Sequence, residues 1–297
     1  MFIHNLLAAS DLSSLSRHAA ERAALIACRL DVPLSIQHVV SHGALESLRH
    51  LLERHPEDYR QRLLDEAREE LEKLAAGLVA RHGAKIGLQL SQGQVVDEIA
   101  GYADALDAGL LVMGAHGEGQ LSERFYGSTL ERVLRGASRP LLAVKHAPAV
   151  EYRRVLVPID FSDRSLHAVR MVQAIAPQAQ LSLLHAYQLP FEGKLFQLGV
   201  GEAMHAEMLD ALHEEARQRM DRLMSEADLD RTATSCSLFH GDPVRHVLEQ
   251  QQTQDCDLIV MGKRGVGRLE SWLVGSVTRH ILAQAACDTL IVDVPPA

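Results

Sequence analysis

Two glycine-rich stretches carry the residues of this chain best suited to chemistry, Gly114-x2-Gly117-x9-Gly127-Ser128 and Gly262-x2-Gly265-x9-Gly275-Ser276. Each directly follows an apolar run, LLVMG in the first half and LIVMG in the second. Glycine has no Cβ, so a Gly-x2-Gly turn lets backbone amides approach phosphate oxygens closely. The Gly-Ser pair beyond it is placed to open a helix, where unpaired amides and the positive end of the helix dipole favour an anion. The hydroxyls of Ser128 and Ser276 either cap that helix or donate to phosphate. For Ser128 the run STLE, with Glu131 three residues on, predicts a capping box. The spacing is neither that of a Walker loop nor that of a dinucleotide fingerprint after a first strand.

A second pair of residues belongs with these loops. Asp11 in LAASDLSSL and Asp160 in VPIDFSDRS each follow the first apolar run of their half. A doubly wound sheet opens its ligand crevice between its first strand and a strand beyond the switch point, so glycine loop and aspartate meet there. An aspartate in that place accepts hydrogen bonds from ribose hydroxyls or caps the following helix, and the local sequence supports both readings.

The elements that must hold these residues occur twice. Gly114 and Gly262 lie 148 residues apart, and the same offset carries Gly93 of SQGQVVDEI onto Gly241 of FHGDPVRHV. The repeat therefore spans whole domains. Periodicity predicts strands at 2–8, 34–40, 84–90, 110–114 and 141–145 in the first half, with helices at 14–30, 56–82, 94–107 and 128–137. Strands at 154–158, 181–186, 232–239, 257–261 and 289–293 repeat the order. Five strands alternating with four main helices give an α/β fold, a mostly parallel open sheet covered on both faces in each domain. The boundary falls near KHAPAVEYRR, giving domains 1–148 and 149–297 joined by a short linker.

The formal charge of −9 argues against nucleic acid as a partner, which needs clustered Lys and Arg. Cys28, Cys236, Cys256 and Cys287 are scattered without metal-ligand spacing, and the N-terminal run MFIHNLLAAS reads as a first strand rather than a targeting segment. A reducing, cytoplasmic setting is expected. The apolar runs are strand-sized, so no membrane span is expected. His38 and His185, at matching places in the second strand of each half, read as structural histidines. Met204, Met208 and Met224, with Leu209 and Leu223, are expected to pack a long helix against its sheet or a partner.

With these motifs in view, GAHGEGQLSERFYGS and GKRGVGRLESWLVGS, together with VPIDFS and HGDPVRHVLE, the chain resembles a tandem universal stress protein over essentially its whole length. The resemblance implies two open parallel five-stranded sheets of order 3-2-1-4-5, adenine-nucleotide alpha-hydrolase-like, and a cytoplasmic role in stress response. Its ATP-binding branch implies ATP, accompanied by Mg2+, held in the second half by Pro158, Asp160, Ala186, Gly262, Arg264, Gly265, Gly275, Ser276 and Val277. In the first half the implied residues are Asp11, Val39, Gly114, His116, Gly117, Gly127, Ser128 and Thr129. It also implies pairing of domains through their last strands, as an intrachain pseudo-dimer, and leaves a homodimer and an unidentified protein partner open.

The halves differ. Lys263, Arg264 and Arg268 surround the second loop, whereas His116, Glu118 and Glu123 surround the first, and Ala9 stands where the second half has Pro158. The second site is expected to be the stronger. The function expected is a nucleotide-binding regulatory or stress-survival module with slow hydrolysis at most. The alternatives are a nucleotide-free interaction protein of the same fold and an adenylyl- or phosphoryl-transfer enzyme.

Overall fold

The computed structural model of the chain describes residues 3–43, 56–116, 126–136, 139–148, 150–195, 200–264 and 274–293. It divides into two compact units, residues 1–151 and 152–296.

In the first unit the order is β1 (Leu6–Ala9), α1 (Ser14–Leu30), β2 (Leu34–Ser41), α2 (Pro56–His82), β3 (Ile86–Gly93), α3 (Val95–Ala105), β4 (Leu110–Gly114), α4 (Ser128–Gly136) and β5 (Leu141–Val144). All neighbouring strands are parallel, in the order β3-β2-β1-β4-β5. Every residue of β1 and β5 is buried, as are Leu110 to Met113 of β4, because helices cover both faces. Alanine lets α1 lie close to the sheet. Ala19, Ala20, Ala23, Ala24 and Ala27 form its buried stripe, and Ser13 caps its start by accepting from Ser16 N. In α2 the buried positions Ala67, Leu71, Leu74, Ala75 and Leu78 recur at helical spacing, while Glu69 and Lys73 pair on the exposed face. Burying a leucine such as Leu78 contributes about 1.5–3 kcal/mol.

The first strand starts later than its apolar run. Asn5 donates from Nδ2 to Leu106 O at 2.9 Å, which fastens the preceding residues to the end of α3, and pairing begins only at Leu6 with Leu34 and Leu110.

The second unit repeats the scheme with β6 (Arg154–Pro158), α5 (Asp163–Ile175), β7 (Gln180–Tyr187), a short α6 (Glu192–Leu195), α7 (Glu202–Glu226), β8 (Thr234–His240), α8 (Pro243–Thr253), β9 (Leu258–Gly262), α9 (Ser276–Gln284) and β10 (Asp288–Val292). Its strands are again parallel, ordered β8-β7-β6-β9-β10. The HGDP run explains the start of α8. Asp242 caps it by accepting from Arg245 N at 2.8 Å, and Pro243 occupies the first turn, where its missing N–H is not needed. In α7 the buried face comprises Ala216, Met220, Leu223 and Met224, but Met204 is exposed and Met208 only half-buried. Of the three methionines, Met224 is the one buried within its unit. A 25-residue helix runs about 37 Å, longer than a seven-residue strand at about 23 Å, so its first turns outrun the sheet.

In both units the fold sets one place apart. The strand order reverses at the first strand, between β1 and β4 and between β6 and β9, and a crevice opens beyond the carboxyl ends of those strands.

Candidate functional site

Each crevice is a cleft of similar design. In the first unit it measures about 310 Å³ and is lined by Asp11, Val39, Gly114, His116, Gly127, Ser128 and Thr129, together with Ala9 and Gln37. In the second it measures about 440 Å³ and is lined by Pro158, Asp160, Ala186, Gly262, Arg264, Gly275, Ser276 and Val277, together with Leu184 and Thr278. The sequence-predicted residues thus converge, two apart. Gly117 and Gly265 lie outside the described residues, as do Glu118, Glu123 and Arg268.

The loop base is clamped identically in both units. Ala115 N donates to Val144 O and Gly127 N to Ala115 O, each at 2.8 Å; Lys263 N donates to Val292 O at 2.7 Å and Gly275 N to Lys263 O at 2.9 Å. These bonds tie the end of the fourth strand to the fifth and to the helix that follows. Close packing also explains a glycine there. A Cβ on Gly262 would stand 2.9 Å from Arg164 Cβ and 3.1 Å from Arg264 O, and one on Gly114 would stand 3.2 Å from His116 O.

Glu131 N bonds to Gly127 O, and Arg279 N to Gly275 O, each at 3.0 Å. The glycines therefore hold the cap position, and Ser128 and Ser276 are the first helical residues. This corrects the capping box expected at Ser128, because Glu131 falls one place too late and pairs with Arg135 instead. Ser128 and Ser276 are exposed, and the first turns of α4 and α9, which line the clefts, carry amides without intrahelical partners.

The aspartates do not cap α1 or α5. Asp160 Oδ1 accepts from Ser162 N at 3.0 Å and from the hydroxyls of Ser162 and Ser165 at 2.6 Å each. Asp11 Oδ1 accepts from Ser13 N at 3.1 Å and Ser13 Oγ at 2.5 Å. Cap positions belong to Ser13 and Ser162. Each aspartate is followed by a non-glycine residue in the left-handed region, Leu12 at φ 65° and Phe161 at φ 60°. Such backbone costs about 1–3 kcal/mol and persists where its surroundings fix it, here the serine-aspartate bonds.

His38 Nδ1 bonds Ser10 O at 2.8 Å, and His185 Nδ1 bonds Ile159 O at 2.7 Å. Each imidazole pins the carbonyl just before the aspartate, a positioning role on the backbone. Burial, reinforced by the nearby Arg219 charge, holds the His185 pKa below the usual imidazole range despite that hydrogen bond.

Charge separates the two clefts. In the second unit Arg164 Nε donates to Asp293 Oδ1 at 2.9 Å, Arg264 Nη2 reaches both Asp293 oxygens at 3.3 and 3.2 Å, and Lys263 Nζ lies 3.9 Å from Oδ2. Burial works to raise the Asp293 carboxyl, but the Arg164 hydrogen bond and the two guanidinium charges prevail and hold it below its usual range. Three cationic side chains thus gather around one carboxylate at the end of β9. The corresponding positions of the first unit are Leu15, Ala115, His116 and Lys145.

Backbone pairing separates them further. β1 pairs with β4 as far as Ala9 with Met113, whereas β6 pairs with β9 only at Val155 and Leu156. Pro158 brings no N–H to continue the ladder, and the second cleft is the larger.

Five residues escaped the sequence reading: Gln37, Thr278, Asp293, Ser16 and Ser165. The signal for Gln37 was present, since LSIQHVV in β2 aligns with LSLLHAY in β7, a polar residue replacing Leu184 within a buried strand. Asp293 carried no local mark.

A model of the Universal stress protein family matches residues 3–145 and again 151–293. Similar curated proteins include a universal stress protein of Synechocystis sp., 25% identical, and one of Thermus aquaticus, 31% identical, each alignment taking 48% of this chain and 98% of the relative. Among solved structures, a universal stress protein from Archaeoglobus fulgidus matches with a TM-score of 0.65 at 17% identity over 99% of both chains. A Pseudomonas aeruginosa protein described as functionally unknown matches at 0.66 and 19%, over 98% of this chain and 92% of that one.

Proposed function

The chain belongs to the universal stress protein family in both halves, and on that premise we propose that it is an adenine-nucleotide-binding module with two clefts, one in each unit. The observation that carries this reading is the convergence at each switch point of a strand-one aspartate, a glycine-ended fourth strand and a helix N-terminus.

The residues fit ATP in type and place. Apolar walls at Val39 and Ala186 suit a base, Asp11 and Asp160 suit ribose hydroxyls, and the first turns of α4 and α9 suit phosphates. In Asp160 the recorded bonds fall on Oδ1, so ribose would be met by Oδ2. Among the described residues no group of three or more His, Cys, Asp or Glu is placed to hold a metal ion. Mg2+ would therefore enter on the phosphates. The cationic surroundings of Asp293 favour the second cleft for a triphosphate. Occupancy then acts by differential binding, stabilising one conformation in a stress response, with slow turnover at most.

Calorimetric titration of the nucleotide-stripped chain with ATP and Mg2+ tests this. Binding is expected, and Asp160→Ala should weaken the second site by about 1–2 kcal/mol. Absence of heat and of a thermal shift would leave the nucleotide-free interaction protein as the reading.

A further inference from the structure

Gln37 is a polar side chain sealed into the wall of the first cleft. It lies on β2 beside Ala9 of β1, is 1% exposed, and shares the cleft lining with Val95, Ile99 and Met113. Its Nε2 donates to Ser91 Oγ and to Glu98 O, each at 3.1 Å. Both amide hydrogens are thereby used, toward β3 and α3. Its Oε1 is buried and has no hydrogen-bond partner among the described residues. Flipping the amide would not cure this, because Glu98 O needs the N–H donor.

A buried acceptor without a donor is unfavourable, and the side chains of Val95, Ile99 and Met113, which share the lining, supply none. The second unit shows the contrast. Leu184 stands in the equivalent place beside Pro158, also 1% exposed, and makes that part of the wall apolar. The pair Ala9 and Gln37 thus replaces Pro158 and Leu184, with the short side chain leaving room beside the long one.

We propose that Gln37 makes the first cleft selective for a base that presents an N–H donor to its inner wall, as adenine does through its exocyclic amine. This rests on the nucleotide reading given above. The ligand supplies the donor that the fold withholds, so discrimination is built into the first unit by one amide oxygen and is absent from the corresponding wall of the second. The two clefts then differ in what they select as well as in charge.

The test is calorimetric titration of the full chain with ATP and with purine riboside triphosphate, which carries hydrogen in place of the exocyclic amine. In the wild type the analogue is expected to bind one class of site about tenfold more weakly than ATP, the equivalent of one neutral hydrogen bond. In Gln37→Leu, which installs the residue the second unit already uses, that difference should disappear while ATP still binds. Gln37→Met, which keeps length and volume, repeats the comparison should the leucine variant not fold. If ATP binds but its preference over the analogue is the same in wild type and variant, the selectivity inference is overturned and the nucleotide reading stands. If the wild type binds neither nucleotide, the nucleotide reading fails and the inference falls with it.

Discussion

Asp160 shows how one side chain serves the loop and leaves room for a ligand. Its Oδ1 gathers Ser162 and Ser165, and these bonds hold Phe161 in a left-handed conformation that a free loop would avoid. Replacing the aspartate is therefore expected to weaken loop order and, with it, the proposed ribose contact, and Asp160→Asn, which keeps an acceptor oxygen, separates the two. The cysteines give a test of burial at the same scale. Cys256 and Cys287 are buried, and burial, helped by the neighbouring Asp257 charge, pushes the Cys256 thiol up to about 11. Cys28 and Cys236 are exposed. Maleimide labelling of the native chain near neutral pH, read by mass spectrometry, should modify Cys28 and Cys236 first and reach Cys256 and Cys287 only after unfolding.

At the scale of elements, the strand-loop-helix unit around each glycine is set by contact distances. The Cβ that Gly262→Ala adds would collide with Arg164 Cβ, while the one from Gly114→Ala meets only a carbonyl oxygen at 3.2 Å and Leu15 backbone at 3.6 Å. Overpacking of this kind costs about 1–3 kcal/mol. Gly262→Ala should lower the unfolding midpoint in scanning calorimetry more than Gly114→Ala, and equal shifts would mean that the Arg164 contact yields freely. The helix starts repeat the lesson. Ser128 looks like a cap in STLE, yet the bond from Glu131 N to Gly127 O sets the helix one residue earlier.

For the whole molecule, acid should act on the second unit through groups that fold into altered environments. Burial lowers the pKa of His185 and of His167 below the ordinary imidazole value of about 6.5. The unfolded chain then binds more protons than the folded one in that window, so stability rises with pH. It is complete above about pH 6.5 and is lost as pH falls through the lowered folded values. Asp293 acts in the same direction further down, its stabilising charge being lost as pH falls below the ordinary carboxylate range. Urea denaturation at pH 7.5 and 5.5 should show the lower midpoint at pH 5.5, and His185→Gln should reduce the difference. A midpoint independent of pH would contradict the burial argument. Among the described residues no helix is long and apolar enough to cross a membrane.

The sequence by itself determined the doubling, the α/β class, the strand order through its family likeness, and part of the lining of both clefts. The doubling and the class rest on periodicity and on glycine spacing, which are local and repeat in register, whereas the strand order and most of the cleft residues came with the family resemblance. Tertiary structure alone decided what each residue does in place. It put Asp293, just past the last strand, within reach of Arg164 and Arg264, which lie 129 and 29 residues before it. It gave the cap position to Gly127 rather than Ser128, and it stranded Gln37 Oε1 in a cleft wall. Such facts depend on which distant groups share a few ångströms, and hydrogen-bond partners and desolvation are settled only at that range.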